Sequence, residues 1–78
     1  MIVTVQFRNK DKVFSGKTYD YILNKNEEVP KQGSIIRMMD KNYNYICNGT
    51  RVKVVALRKE KFSDSLLTEI KYVTSTLD

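Results

Sequence analysis

Histidine is absent from the 78-residue sequence, and cysteine occurs only once, at position 47. Without histidine the chain lacks the usual general base of enzymes and the commonest metal ligand of proteins. A single cysteine excludes an intrachain disulfide and a zinc site built from several cysteines, and it is typical of a reducing compartment. Because Cys47 lies in a strand-like pattern, we expect it to be a small buried residue.

Long apolar runs are also missing. No stretch approaches the roughly 20 apolar residues of a membrane span. The first residues, Met1 to Arg8, alternate apolar and polar side chains and lack the basic start and apolar centre of a signal peptide. The sequence therefore predicts a cytoplasmic protein.

Features that would support catalysis are scarce. The three glycines are isolated from one another, so they do not form a phosphate-binding loop. Glu27 and Glu28 are neighbours in a polar segment and do not make a general acid and base of fixed geometry. We therefore expect a protein that is not an enzyme, with no cofactor and no metal.

Chain length and charge favour a small binding domain. Residues 1–78 supply one core, so they are predicted to form a single domain that buries roughly 60% of its unfolded surface. The 14 Lys and Arg against 9 Asp and Glu give a net charge of +5, which favours anionic partners such as nucleic acid. A net charge of about 2–8 is also ordinary for a small stable domain, so charge alone does not identify the partner.

Alternating apolar and polar residues predict several short strands. The predicted strands are residues 2–8, 17–24, 35–39, 43–47 and 50–57. A turn at Ser15-Gly16 and a proline-containing loop over 24–32 separate the first three. Asn48-Gly49 predicts a type I′ hairpin, since that turn requires two residues with positive φ.

Residues 62–78 carry a mixed pattern. Four apolar side chains follow helical spacing, with Ser63 or Asp64 as an N-cap, whereas the threonines and β-branched residues of 68–76 favour a strand. We favour the strand and keep a short C-terminal helix as the alternative. Five or six strands then predict a mainly all-β fold, a small antiparallel barrel of SH3-like or OB-like type, because closure covers the edges of an open sheet.

Three segments in order carry a resemblance to a known family: Thr18-Tyr19-Asp20-Tyr21-Ile22-Leu23, Gly33-Ser34-Ile35-Ile36-Arg37-Met38 and Arg51-Val52-Lys53-Val54-Val55. The set resembles the N-terminal DNA-binding domain of the primosomal replication-restart helicase. It also looks like small phage-type β-barrel proteins of unassigned function. Their closing strand, with Lys-aromatic-Val and a later aspartate, is similar to Lys71-Tyr72-Val73 with Asp78.

The helicase resemblance implies a pocket for the 3′ end of a DNA strand, with Tyr19, Asp20 and Tyr21 as site residues. A tyrosine stacks on a base, and a carboxylate accepts a hydrogen bond from a terminal hydroxyl. The sequence departs from the family where Met38-Met39-Asp40-Lys41 stands in place of a Val-Pro-Phe-Gly-like turn. An aspartate in such a strand more often faces solvent or pairs with a lysine across strands.

A second candidate site combines tyrosines with basic residues near the predicted hairpin: Tyr43, Tyr45, Arg51, Lys53, Arg58 and Lys59. Single-strand binders join base stacking to a cationic groove. In this interpretation Tyr43 or Tyr45 stacks a base, and the hairpin partners Arg51 and Lys53 contact phosphate. The alternative is that the tyrosines are half-buried barrel residues and the lysines solvate a strand edge.

Together these patterns predict a small nucleic-acid-associated β-barrel, encoded by a phage or another mobile element. It would bind single-stranded nucleic acid through basic residues and tyrosine stacking. The alternative is a protein-interaction module that docks on and modulates a host protein, since exposed aromatic residues are also enriched in protein interfaces. Self-association through an edge strand is a third interpretation.

Overall fold

The computed structural model describes residues 1–59 and 67–76, which form five strands and one short 3₁₀ turn. The elements are β1 (Ile2–Arg8), β2 (Phe14–Leu23), β3 (Ile35–Met39), the 3₁₀ turn (Cys47–Gly49), β4 (Arg51–Arg58) and β5 (Glu69–Ser75). The predicted mainly all-β class is confirmed.

The five strands close into a barrel in the order β1-β2-β5-β3-β4, with β4 returning to β1. Four of the neighbouring pairs are antiparallel, as predicted. The exception is β2 with β5, which run parallel and pair at Ile22 with Glu69 and at Leu23 with Ile70. Parallel neighbours need a crossover connection, and here that connection contains β3 and β4.

The core is built from residues that alternate along the strands. Because successive side chains of a strand point to opposite faces, every second residue points into the barrel. The buried set comprises Val3, Val5, Leu23, Ile36, Met38, Val52, Val54 and Ile70. Each such aliphatic side chain contributes roughly 1.5–3 kcal/mol when it is fully buried, so this set holds the barrel closed.

A bulge lengthens β2 beside β1. Gln6 pairs with Thr18 and Arg8 with Phe14, so two steps along β1 face four steps along β2. Gly16 lies in the extra residues with φ of +85°, a value that glycine adopts without the steric cost of a Cβ. Gln6 Nε2 donates to the Gly16 carbonyl oxygen at 3.0 Å. The predicted turn at Ser15-Gly16 is therefore wrong, because the bulge carries the strand through it.

The predicted strand over residues 43–47 is also wrong. Tyr45 forms a single β-bridge with Met39, and the neighbouring residues lie in a loop. The Asp40 carboxylate accepts hydrogen bonds from the backbone N–H groups of Asn42 and Asn44 at 2.8 and 3.0 Å. These bonds offer the backbone an alternative to a strand ladder.

Positive φ at Asn48-Gly49 is confirmed, with values of 56° and 68°. The two residues close the 3₁₀ turn, however, and do not join two strands in a tight hairpin. The chain between β3 and β4 is instead a loop of residues 40–50 that folds back over the barrel wall.

The strand favoured for the C-terminal region is confirmed at Glu69–Ser75. Residues 62–66 and 77–78 of that predicted region lie outside the described residues. No helix among residues 1–59 and 67–76 is long and apolar enough to cross a membrane.

Candidate nucleic-acid interface

The outer surface of β4, β3 and β5 carries four basic side chains. The register places Arg37 of β3 between Arg51 of β4 and Val73 of β5. Lys53 lies two residues after Arg51, and Lys71 pairs with Met39 at the other end of β3. Their neighbours in sequence point into the core, so the alternation of the strands places these four cations on one side of the sheet.

Tyr45 lies against one of these cations. The Arg37 guanidinium carbon is 4.2 Å from the centroid of the Tyr45 ring, within the distance at which a cation is attracted to an aromatic face. Arg37 Nε also donates to the carbonyl oxygen of Gly49 at 2.8 Å. Two contacts therefore fix the arginine under the ring, while 47% of Tyr45 stays exposed.

Tyr43 repeats this arrangement with a lysine. The Lys71 Nζ atom is 4.7 Å from the ring centroid of Tyr43 and donates to its hydroxyl oxygen at 3.3 Å. Tyr43 has a φ of 65°, in the left-handed region that a side chain of this size rarely adopts. The ring is 66% exposed, so it is open to a ligand.

Gly49 allows the loop to approach the sheet closely. A Cβ atom at this position would lie 2.7 Å from Arg37 Nη2 and 3.3 Å from Tyr45 Cγ. The side chains of Arg37 and Tyr45 therefore occupy the space that a side chain at this position would need, and the close approach brings the Gly49 carbonyl oxygen within reach of Arg37.

We call this surface the basic-aromatic face, and its members are Arg37, Tyr43, Tyr45, Arg51, Lys53 and Lys71. Arg51 Nε also donates to Ser75 Oγ at 3.0 Å, a contact that links β4 to β5 across β3. The nearby Asp40 carboxylate is occupied by backbone N–H groups. The face combines flat apolar rings with cations, which are the two groups that recognise the bases and phosphates of a nucleic acid.

The structure separates Asp20 from its two flanking tyrosines. In the extended β2 strand, Tyr19 and Tyr21 point to one side and Asp20 to the other. Asp20 accepts a hydrogen bond from Thr4 Oγ1 at 2.6 Å and pairs with Arg58 Nη2 at 2.7 Å. The three predicted residues therefore do not line one pocket, and Asp20 pairs with an arginine rather than a lysine.

The two remaining predicted cations lie away from the basic-aromatic face. Arg58 ends β4 and is paired with Asp20 across β1. Lys59 follows directly and is exposed. Within residues 1–59 and 67–76, no three His, Cys, Asp or Glu side chains group together as a possible metal site.

Tyr19 and Tyr21 line a separate cavity of about 450 Å³, together with Phe7, Ser15, Lys17 and Cys47. Cys47 is exposed at this cavity, so the prediction that it is buried is wrong. Burial is the main cause that raises the pKa of the Tyr21 hydroxyl, and together with the charge and hydrogen bond of Cys47 and the charge of Tyr19 it brings this pKa to about 12.

Sequence reasoning missed two members of the basic-aromatic face. Arg37 was detectable as the one charge inside the apolar segment Ile35–Met39. Lys71 required the register of β5 against β3, which no local pattern reveals. The predicted hairpin pairing is also wrong, because the partner of Arg51 in β3 is Arg37 and the bridge partner of Tyr45 is Met39.

The chain matches no protein-family model, no curated protein and no solved structure.

Proposed function

We propose that this protein binds single-stranded nucleic acid on the basic-aromatic face and does so without catalysis. One observation carries the proposal: two exposed tyrosines each lie over a cation on a sheet surface that also bears Arg51 and Lys53. Single strands expose the flat faces of their bases, whereas a duplex stacks them against one another.

The cations beneath the rings prepare the tyrosines for stacking. Arg37 holds Tyr45, and Lys71 holds Tyr43, before any ligand arrives. A side chain that is already ordered loses less conformational entropy on binding. Stacking of a base on the exposed part of such a ring contributes about 1–3 kcal/mol to binding, whichever of the bases it is.

The same cations give the interaction its dependence on salt. Each phosphate that a lysine or arginine neutralises releases counterions, so affinity falls as salt rises. If the four cations of the face each contact one phosphate, the logarithm of the binding constant should fall with the logarithm of salt with a slope of about −3. Affinity would then arise mainly from the backbone, with stacking as the second contribution.

The experiment is a titration of a fluorescent single-stranded oligonucleotide of about ten nucleotides, followed by anisotropy. It is repeated between about 50 and 200 mM salt. The test variant is Arg51→Gln with Lys53→Gln, which removes two phosphate contacts. It should bind more weakly, and its salt slope should be shallower by about 1.4.

The matched control is Lys10→Gln with Lys25→Gln, two exposed lysines in turns outside the face. Both double variants remove two positive charges, so both have a net charge of +3 in place of +5. The control should keep nearly the wild-type affinity and slope. Undetectable wild-type binding at low salt, or equal losses in the two variants, would contradict the proposal.

The proposal places the protein in the cytoplasm, as a phage-type barrel of the SH3-like or OB-like kind. OB-fold barrels bind oligonucleotides on a sheet face and on the adjoining loops. The basic-aromatic face likewise combines residues of three strands, β3, β4 and β5, with residues of the loop 40–50. The resemblance to the helicase DNA-binding domain stays a prediction, and the interface proposed here does not depend on it.

A further inference from the structure

A second surface, at the bulged end of β2, has the size of a small-molecule site. Its cavity of about 450 Å³ is lined by Phe7, Ser15, Lys17, Tyr19, Tyr21 and Cys47, which we call the aromatic pocket. Ligand pockets commonly measure about 300–1,000 Å³. No member of the basic-aromatic face lines this cavity, so the two surfaces are distinct.

The bulge in β2 builds the pocket. Lys17, Tyr19 and Tyr21 are alternate residues of an extended strand, so their side chains point to the same side. The extra residues around Gly16 bend the strand where it passes Phe7 of β1. Bulges commonly redirect side chains beside binding sites, and this one brings Ser15 and Lys17 to the rim of the cavity.

Aromatic rings form the walls. Phe7 and Tyr19 meet edge to face, with ring centroids 5.4 Å apart and an angle of 82° between the ring planes. Tyr19 is 48% exposed, so much of its ring is open to a ligand. A planar ring is the group that such walls contact best.

The polar groups at the rim favour an anion. Lys17 contributes an ammonium group, and among the described residues no carboxylate pairs with it. The Ser15 hydroxyl oxygen accepts a hydrogen bond from Asn9 Nδ2 at 3.2 Å, which leaves its proton to donate to a ligand.

We propose that the aromatic pocket binds a small planar aromatic molecule that carries an anionic group. The ring lies against Phe7, Tyr19 and Tyr21, and the anion lies at Lys17. Aromatic carboxylates and nucleoside monophosphates share this chemistry. The site is independent of the oligonucleotide interface, and either can fail without the other.

The test uses naphthoate and adenosine monophosphate as probes, with naphthalenemethanol as the uncharged analogue of naphthoate. Binding is measured by calorimetry. A second readout gives its location: Cys47, the only cysteine in the chain, lines the pocket and is exposed. A bound probe should therefore slow the reaction of this thiol with a chromogenic disulfide reagent, in proportion to saturation.

One variant tests the contact with the ring of the ligand, and another tests the contact with its anionic group. Tyr19→Ala should weaken naphthoate binding roughly tenfold through loss of ring contact. Lys17→Gln should weaken it roughly threefold to tenfold, and should remove the preference for naphthoate over naphthalenemethanol. Lys25→Gln is the matched control at an exposed position outside both surfaces, and it should bind as the wild type does.

The relative affinities of the two probes indicate which class of ligand the pocket prefers. Tighter binding of adenosine monophosphate than of naphthoate indicates a nucleotide, and the reverse order indicates an aromatic carboxylate. The proposal is overturned if neither probe slows the reaction of Cys47, or if Lys17→Gln and Lys25→Gln have the same effect. Lys17 and Lys25 are exposed and lie outside the buried core, so a failure to fold does not obscure the comparison of these two variants.

Discussion

The chain contains two tyrosine pairs with the same spacing, Tyr19-Asp20-Tyr21 in β2 and Tyr43-Asn44-Tyr45 in the loop after β3. In β2 the regular strand turns both rings toward the aromatic pocket. In the loop a left-handed residue and a single bridge turn both rings over the cations of the sheet. The same spacing therefore produces two different surfaces.

The group that each tyrosine ring contacts sets the chemical character of the surface around it. Tyr19 meets the edge of another aromatic ring, Phe7, and their contact forms an apolar wall. Tyr45 meets the guanidinium of Arg37, so its surroundings are positively charged. The first arrangement suits a ring-sized ligand and the second a chain of phosphates and bases.

The largest effect is expected from Tyr43→Ala with Tyr45→Ala. Loss of stacking at about 1–3 kcal/mol per base should reduce oligonucleotide affinity by tenfold or more. Tyr19→Ala removes from the other pair a ring that is as exposed as that of Tyr45, and it should leave the affinity unchanged. The affinities of the wild type, the double variant and Tyr19→Ala are measured by anisotropy titration. An equal loss of oligonucleotide affinity in Tyr19→Ala would show that the two tyrosine pairs do not differ in function.

The next largest effect is expected on the free energy of unfolding when either of two glycines with positive φ, Gly16 or Gly49, is replaced by alanine. Gly16→Ala meets no neighbouring atom and should lower the free energy of unfolding by the backbone cost alone, about 1–2 kcal/mol. Gly49→Ala adds a contact at 2.7 Å with Arg37 Nη2. Relieving this contact moves Arg37 away from the Gly49 carbonyl oxygen and from the Tyr45 ring, so Gly49→Ala should lose more stability and should also bind the oligonucleotide more weakly.

Urea unfolding gives both stabilities, and anisotropy gives the affinity. If Gly49→Ala is no less stable than Gly16→Ala and binds as the wild type does, the close approach of the loop does not position the arginine.

A smaller effect is expected on the pH dependence of stability, through Tyr21 in the aromatic pocket. Its pKa is raised from 10.0 to about 12, chiefly by burial. Between these values the unfolded chain loses the tyrosine proton while the folded protein keeps it, so stability falls as pH rises from about 10 to about 12. In Tyr21→Phe this component should disappear, and the melting temperature should fall less steeply over the same pH range.

Cys47→Ser is the companion variant, because it removes the second cause of the raised pKa of Tyr21. Its pH dependence should lie between those of the wild type and Tyr21→Phe. Melting curves that fall in parallel for the wild type and Tyr21→Phe would show that the hydroxyl is not buried in the pocket.

The smallest effect is expected at Asp20, between the two pocket tyrosines. Asp20→Asn removes an exposed ion pair with Arg58, and such pairs contribute about 0–1 kcal/mol. Neither oligonucleotide affinity nor naphthoate binding should change, because the side chain points away from both surfaces. A loss of oligonucleotide binding comparable to that of the tyrosine variants would instead support a site built around Tyr19-Asp20-Tyr21.

Much of the fold could be predicted because strand alternation is a local signal. The bounds of β1 and β3 agree with the sequence prediction, since each is a short β-branched or apolar segment between polar residues. Gly16 misled the prediction, because glycine serves a bulge as readily as a turn. Tyr43 to Cys47 also misled it, because the alternation there was real but Asp40 bonds the backbone into a loop.

The candidate site could be predicted only in part. Four of its residues, Tyr43, Tyr45, Arg51 and Lys53, stood out from the sequence as tyrosines near cations. Their partners depend on contacts between distant segments. Lys71 reaches Tyr43 from 28 residues away, through the pairing of β5 with β3. Register of this kind is set by the whole barrel, so local patterns do not contain it.

We propose that nucleic acid binds over β4, β3 and β5 and not at the aromatic pocket. Heteronuclear NMR of the backbone amides during titration with a single-stranded oligonucleotide tests it most directly. Binding over these strands should produce saturable shift changes concentrated at Arg37, Tyr43, Tyr45, Arg51, Lys53 and Lys71, with small changes from Ser15 to Tyr21. Shift changes concentrated from Ser15 to Tyr21, or none at low salt, would contradict it.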